Sequence, residues 1–115
     1  MVSRVAMLTT AGDLIPITQE HDITDYDELQ KYLSCLPRPF DFFELVRVQA
    51  GGHDYIMVVD EEGKLNGSDI NAKATRLTAP WDVIVGDVLI FSDHHDPEMY
   101  SMTHDEWMVL VDVVG

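Results

Sequence analysis

The densest group of side chains able to do chemistry is Asp93-His94-His95-Asp96, followed by Glu98 and His104. Imidazole nitrogens and carboxylate oxygens ligate zinc and other divalent ions, so a metal would be sought here first. The spacing fits no zinc motif, because adjacent histidines on an extended chain point to opposite sides. His94, His95 and His104 are therefore weak candidates, a solvated polar loop is the simpler reading, and no metal or other cofactor is expected. Nucleophilic catalysis fares worse. The serines at 3, 34, 68, 92 and 101 lack a nucleophile-elbow setting, and the lone cysteine, Cys35, reads as a small buried hydrophobe. The reading leans against an enzyme and assigns no catalytic residue.

A second constellation is built from amides and glycines. Asn66-Gly67 pairs a residue that tolerates positive φ with one that adopts it freely, and Asn71 can cap a helix that follows. Gly86-Asp87 interrupts an apolar run as a bulge or tight corner would. Turn and cap chemistry accounts for both. The functional alternative is a pocket in which Asn66, Gly67, Asn71, Gly86 and Asp87 meet a small ligand, since amides donate and accept. There is no Gly-x-x-x-x-Gly-Lys phosphate loop.

The third group is Asp93, Asp96 and Glu98 with Tyr100 and Trp107, and Trp81 before them. Aromatic anchors among carboxylates suit a surface that meets a basic protein, whereas core packing is the plainer use of a tryptophan. Charge frames this choice. The net charge is −14, from 21 acidic against 7 basic residues. Residues 5–30 hold six acids (Asp13, Glu20, Asp22, Asp25, Asp27, Glu28) and no lysine or arginine. Residues 77–115 hold eight (Asp82, Asp87, Asp93, Asp96, Glu98, Asp105, Glu106, Asp112) and again none. Direct nucleic-acid binding is disfavoured, because phosphate affinity comes from cationic side chains. Anionic membranes are disfavoured likewise. A basic protein partner is compatible, and so is solubility alone.

The elements that must position these groups follow from periodicity. Residues 4–9 and 14–18 read as strands joined through Ala11-Gly12-Asp13, and Pro16 puts the second at an edge. A helix is expected over residues 25–35, with acids in its first turn and an apolar face at Tyr26, Leu29, Tyr32 and Leu33. Residues 42–49 and 55–60 read as strands around a Gly51-Gly52-His53-Asp54 loop. The first sets Phe43 and Leu45 against Glu44, Arg47 and Gln49; the second, with Ile56-Met57-Val58-Val59, reads as covered on both faces. A short helix is expected over 71–77, and a strand pair or one kinked strand over 82–91. Thr103-His104-Asp105-Glu106 is a capping-box pattern that starts a C-terminal helix, with a final strand as the alternative because of the valines. The sum is an α+β domain: a small mixed, mainly antiparallel sheet, one helix in the N-terminal half, a short middle helix and a C-terminal helix. Its length of 115 residues suits one domain over 1–115.

The order Val59-Asp60-Glu61-Glu62-Gly63-Lys64-Leu65-Asn66-Gly67, then Asn71, Ala72, Ala74 and Thr75, then Ile84-Val85-Gly86-Asp87-Val88-Leu89-Ile90, resembles the DUF3846 family, small proteins of bacteria, plasmids and phages. Ser101-Met102-Thr103-His104-Asp105-Glu106 resembles the family's closing helix. The motifs are specific over 55–91; residues 37–43 and the His94-His95 loop depart from the pattern. The resemblance implies a fold and a mobile-element setting, and no reaction.

The function expected from all this is a non-enzymatic acidic interaction module, phage- or plasmid-encoded, that meets a basic host protein surface as a DNA mimic or inhibitor. The alternative is a domain that binds a metabolite or nucleotide in the Asn66–Asn71 and Gly86 region. Cytoplasmic residence is expected, from the missing signal-peptide pattern and the lack of a ~20-residue apolar span. A homodimer stays open.

Overall fold

The computed structural model describes residues 3–19, 43–62, 67–78, 83–93 and 102–114. Five strands and two helices lie within them: β1 (Ser3–Leu8), β2 (Leu14–Gln19), β3 (Phe43–Ala50), β4 (His53–Asp60), α1 (Ala72–Thr78), β5 (Val88–Ser92) and α2 (His104–Val114). The expected helix over 25–35 falls outside the described residues.

Among the described residues the sheet order is β2-β1-β5-β4-β3, and every pairing is antiparallel. This corrects the expected mixed sheet. Two hairpins, β1–β2 and β3–β4, present β1 and β4 to each other, and β5 fills the gap, pairing Ala6 with Ile90 and Met57 with Ile90. A strand in that central place is paired on both edges and covered on both faces, so Val88-Leu89-Ile90-Phe91 is a continuous apolar run, buried throughout. β5 starts only at Val88. Residues 83–87 before it, part of the 82–91 segment read in the sequence as strand, make a single bridge, Ile70 to Val85, because Gly86 turns the chain with φ of 78°. Pro16 sits on edge strand β2, as its missing N–H requires.

The strands divide their side chains between two faces. Ala6, Leu8, Val48, Ala50, Tyr55, Met57, Val59, Val88 and Ile90 face one way, and Ala74 of α1 with Leu110 and Val114 of α2 packs on them. Val5, Met7, Ile56, Val58, Leu89 and Phe91 form a buried cluster on the other face. On β3 the alternation is shifted from the expected one. Val46, Val48 and Ala50 point to the helices, while Leu45 shares the opposite face with Arg47 and Gln49 and is 52% exposed. An edge strand gets less cover, so that leucine is left in solvent.

The turn between β3 and β4 is Gly51-Gly52 alone, since Ala50 already pairs with His53. Their φ values of 55° and 81° are what a two-residue turn matched to the sheet twist demands. Gly51 also lies under α2, where a Cβ would overlap a methyl group of Val109. The capping box forms as read: the Glu106 N–H donates to Thr103 Oγ1 at 3.2 Å, and the Thr103 N–H donates to Glu106 Oε1 at 3.0 Å. A helix, not a strand, ends the described chain. Its first turn is anchored by Tyr55, whose buried hydroxyl donates to the Glu106 carbonyl at 2.7 Å. Burial, and then the Glu106 charge, push the Tyr55 phenol up to about 12. No helix among the described residues is long and apolar enough to cross a membrane.

Candidate functional site

Asn71 is fully buried, and every hydrogen-bonding group of its side chain is used inside the protein. Its amide nitrogen donates to the carbonyls of Leu8 and Gly86, each at 3.0 Å. Its carbonyl oxygen accepts the Ala74 N–H at 3.1 Å, which caps α1. One side chain thus ties the end of β1, the Gly86 corner and the start of α1. Thr75 reinforces the tie: Thr75 Oγ1 accepts the Ile84 N–H at 2.9 Å and donates to the Ile84 carbonyl at 3.3 Å. The Gly86 N–H donates to the Asp69 carbonyl at 2.8 Å.

These ties hold open a cleft at the Leu8/Val88 end of the sheet. It has a volume of about 340 Å³ and is lined by Thr9, Thr10, Ala11, Asp13, Ser68, Asp69, Gly86 and Asp87. One wall is the β1–β2 loop. That loop is closed by the Thr9 N–H to the Asp13 carbonyl at 2.9 Å and the Asp13 N–H to Thr9 Oγ1 at 3.1 Å. Lys73 reaches from α1 to the Gly12 carbonyl at 2.8 Å and braces it. Asp87 Oδ1, from the Gly86 side of the lining, accepts the Thr10 N–H at 2.9 Å. Three carboxylates (Asp13, Asp69, Asp87) and three hydroxyls (Thr9, Thr10, Ser68) therefore surround one opening. Such a lining attracts a cationic hydrogen-bond donor and repels phosphate.

A family model described as a domain of unknown function, DUF3846, matches residues 14–112. The chain belongs to the DUF3846 family. No curated protein and no solved structure matches it. The family match takes in α1, β5 and the Gly86 corner of this DUF3846 domain, while the whole Thr9–Asp13 wall lies before it.

Of the residues singled out in the sequence, Gly86 and Asp87 line the cleft and Gly67 lies one residue before it, exposed. Asn71 stands behind the cleft as its support, with no free group to offer a ligand. Asn66 lies outside the described residues, as do His94, His95, Asp96, Glu98 and Tyr100. Asp93 is buried rather than displayed, with Arg47 Nε 3.6 Å from its carboxylate. Trp107 is half-buried against the core, and His104 is exposed at the start of α2. Among the described residues no three His, Cys, Asp or Glu side chains gather as a metal site would need. The sequence offered Ala11-Gly12-Asp13 as a hairpin connection but named neither it nor Thr9, Thr10, Ser68 or Asp69 as part of a site. Only Gly12 and Gly67 marked turns there, and turns do not reveal which loops meet.

Proposed function

We propose that this domain is a non-enzymatic acidic binding module that meets a basic surface of a partner protein, with the cleft beside Gly86 and Asp87 receiving a lysine or arginine side chain. One observation carries the reading: Asp13, Asp69 and Asp87, with three hydroxyls, line a single opening of about 340 Å³, in a chain of net charge −14. A guanidinium or ammonium group there would gain charge-assisted hydrogen bonds, which are about twice as strong as neutral ones. The sharp form of the proposal is a phage- or plasmid-encoded DNA mimic that inhibits a host nucleic-acid-binding protein. A second reading, a small ligand in the same cleft, is favoured by its volume, which lies at the lower end of the ~300–1,000 Å³ range of ligand sites. The carboxylates select an amine-bearing metabolite over a nucleotide.

The test is calorimetric titration with an unstructured arginine-rich peptide and, separately, with a small guanidinium compound. The cleft variant Asp13→Asn/Asp69→Asn/Asp87→Asn keeps the acceptor that holds the Thr10 N–H. It should bind the peptide at least tenfold more weakly than Glu44→Gln/Glu61→Gln/Glu62→Gln, which removes equal charge elsewhere. Affinity should fall steeply with salt. Salt-insensitive binding, or equal losses in the two variants, would overturn the cleft as the seat of recognition. Tight binding of the small compound alone would favour the second reading.

A further inference from the structure

We propose that the outer face of α2 is a docking surface for a basic amphipathic helix of a partner protein, a second contact that rests on the acidic-module reading above. Along α2 the buried positions are Glu106, Leu110 and Val114, one stripe at i, i+4 and i+8 that faces the sheet. The opposite side should be polar if the helix only had to pack inward. Instead Met108 is 50% and Val111 is 37% exposed. They are neighbours at i and i+3, so they form one apolar ridge. Asp105 and Asp112, seven residues apart and both exposed, run alongside it. Between residues 107 and 114 the only polar side chain is Asp112.

A lone exposed hydrophobe needs no explanation, but a ridge bordered by carboxylates has a definite complement. That complement is a helix with its own apolar stripe, flanked by lysines or arginines, which lays side chains against Met108 and Val111 and pairs its cations with Asp105 and Asp112. Charge decides among occupants. A second copy packed α2 against α2 would bring Asp105 and Asp112 against their own kind, with no lysine or arginine in residues 77–115 to offset them. An anionic lipid surface would meet the same repulsion. The surface is separate from the cleft. α2 is anchored at the Tyr55/Ser92 end of the β4–β5 pairing, and the cleft opens at the Leu8/Val88 end of β1–β5.

The probe is a synthetic 18-residue peptide with leucines on one helical face and lysines beside them, compared with a scrambled peptide of the same composition, each titrated into the full chain. The patterned peptide should bind more tightly than the scrambled one. Met108→Gln/Val111→Gln keeps charge and helix propensity, and it should weaken the patterned peptide about tenfold, ~1.4 kcal/mol. The control pair Ile15→Gln/Val83→Gln, exposed elsewhere, should change it less than twofold. Asp105→Asn/Asp112→Asn should flatten the salt dependence. Circular dichroism checks that each variant is folded, and Met108→Lys serves as a second probe that should repel the peptide. Equal binding of the two peptides, or a Met108→Gln/Val111→Gln effect within twofold, overturns the docking face while salt-dependent binding leaves the cleft reading standing. No binding of either peptide overturns both.

Discussion

Replacing Asn71 tests the central claim that one buried amide holds the cleft together. In Asn71→Ala the helix cap is lost, at about 1 kcal/mol. The Leu8 and Gly86 carbonyls, each accepting at 3.0 Å, lose their donor. A buried group without a partner costs about 1–3 kcal/mol, less for a carbonyl that keeps a second bond. The sum is about 3–5 kcal/mol, a large part of the ~5–15 kcal/mol that stabilises a domain. Asn71→Ser separates the contributions: its oxygen can still cap α1, but it cannot reach both carbonyls. It should fall between wild type and alanine. Urea unfolding followed by circular dichroism reads both. The serine variant, while still folded, should also bind the arginine-rich peptide more weakly, because the β1 end and the Gly86 corner are no longer joined. A loss below about 1 kcal/mol in Asn71→Ala would mean that the three bonds are idle and that Asn71 does not support the cleft.

Tyr55 supplies a pH signature. Its phenol titrates near 12 in the folded protein and near 10 when unfolded. A raised folded value means the stabilisation is complete below pH 10 and is lost as pH climbs toward 12, about 2–3 kcal/mol in all. Tyr55→Phe should lack that decline relative to wild type, and parallel stability curves between pH 9 and 12 would contradict it. Gly51→Ala should cost about 2–4 kcal/mol by chemical denaturation, from left-handed backbone and the overlap with Val109. Gly52→Ala, with open space around it, should cost less, and adding Val109→Ala to Gly51→Ala should recover part of the loss. Ser92 Oγ is buried with no hydrogen-bond partner among the described residues, so Ser92→Ala should be neutral or stabilising by up to about 1 kcal/mol in the same assay.

Local signals carried far into this fold. Pro16 marked an edge strand, Asn71 a helix cap, and Thr103 with Glu106 a capping box, because each acts on backbone within four residues of itself or through its own missing N–H. Family membership was legible in the motifs of residues 55–91, and the match runs over 14–112. Where the residues lay far apart, the sequence was silent. Nothing local says that β5 enters between β1 and β4, since pairing partners are chosen by the whole set of apolar faces. Nothing local says that the Asn71 amide spends its donors on Leu8 and Gly86, 63 and 15 residues away. That pairing adds to the expected cap a support behind the cleft, and it uses the amide that the alternative reading would have turned to a ligand. The acidic charge is a property of composition, visible at once. Its gathering of Asp13, Asp69 and Asp87 around one opening belongs to the tertiary structure, because only chain crossing brings three separate loops together.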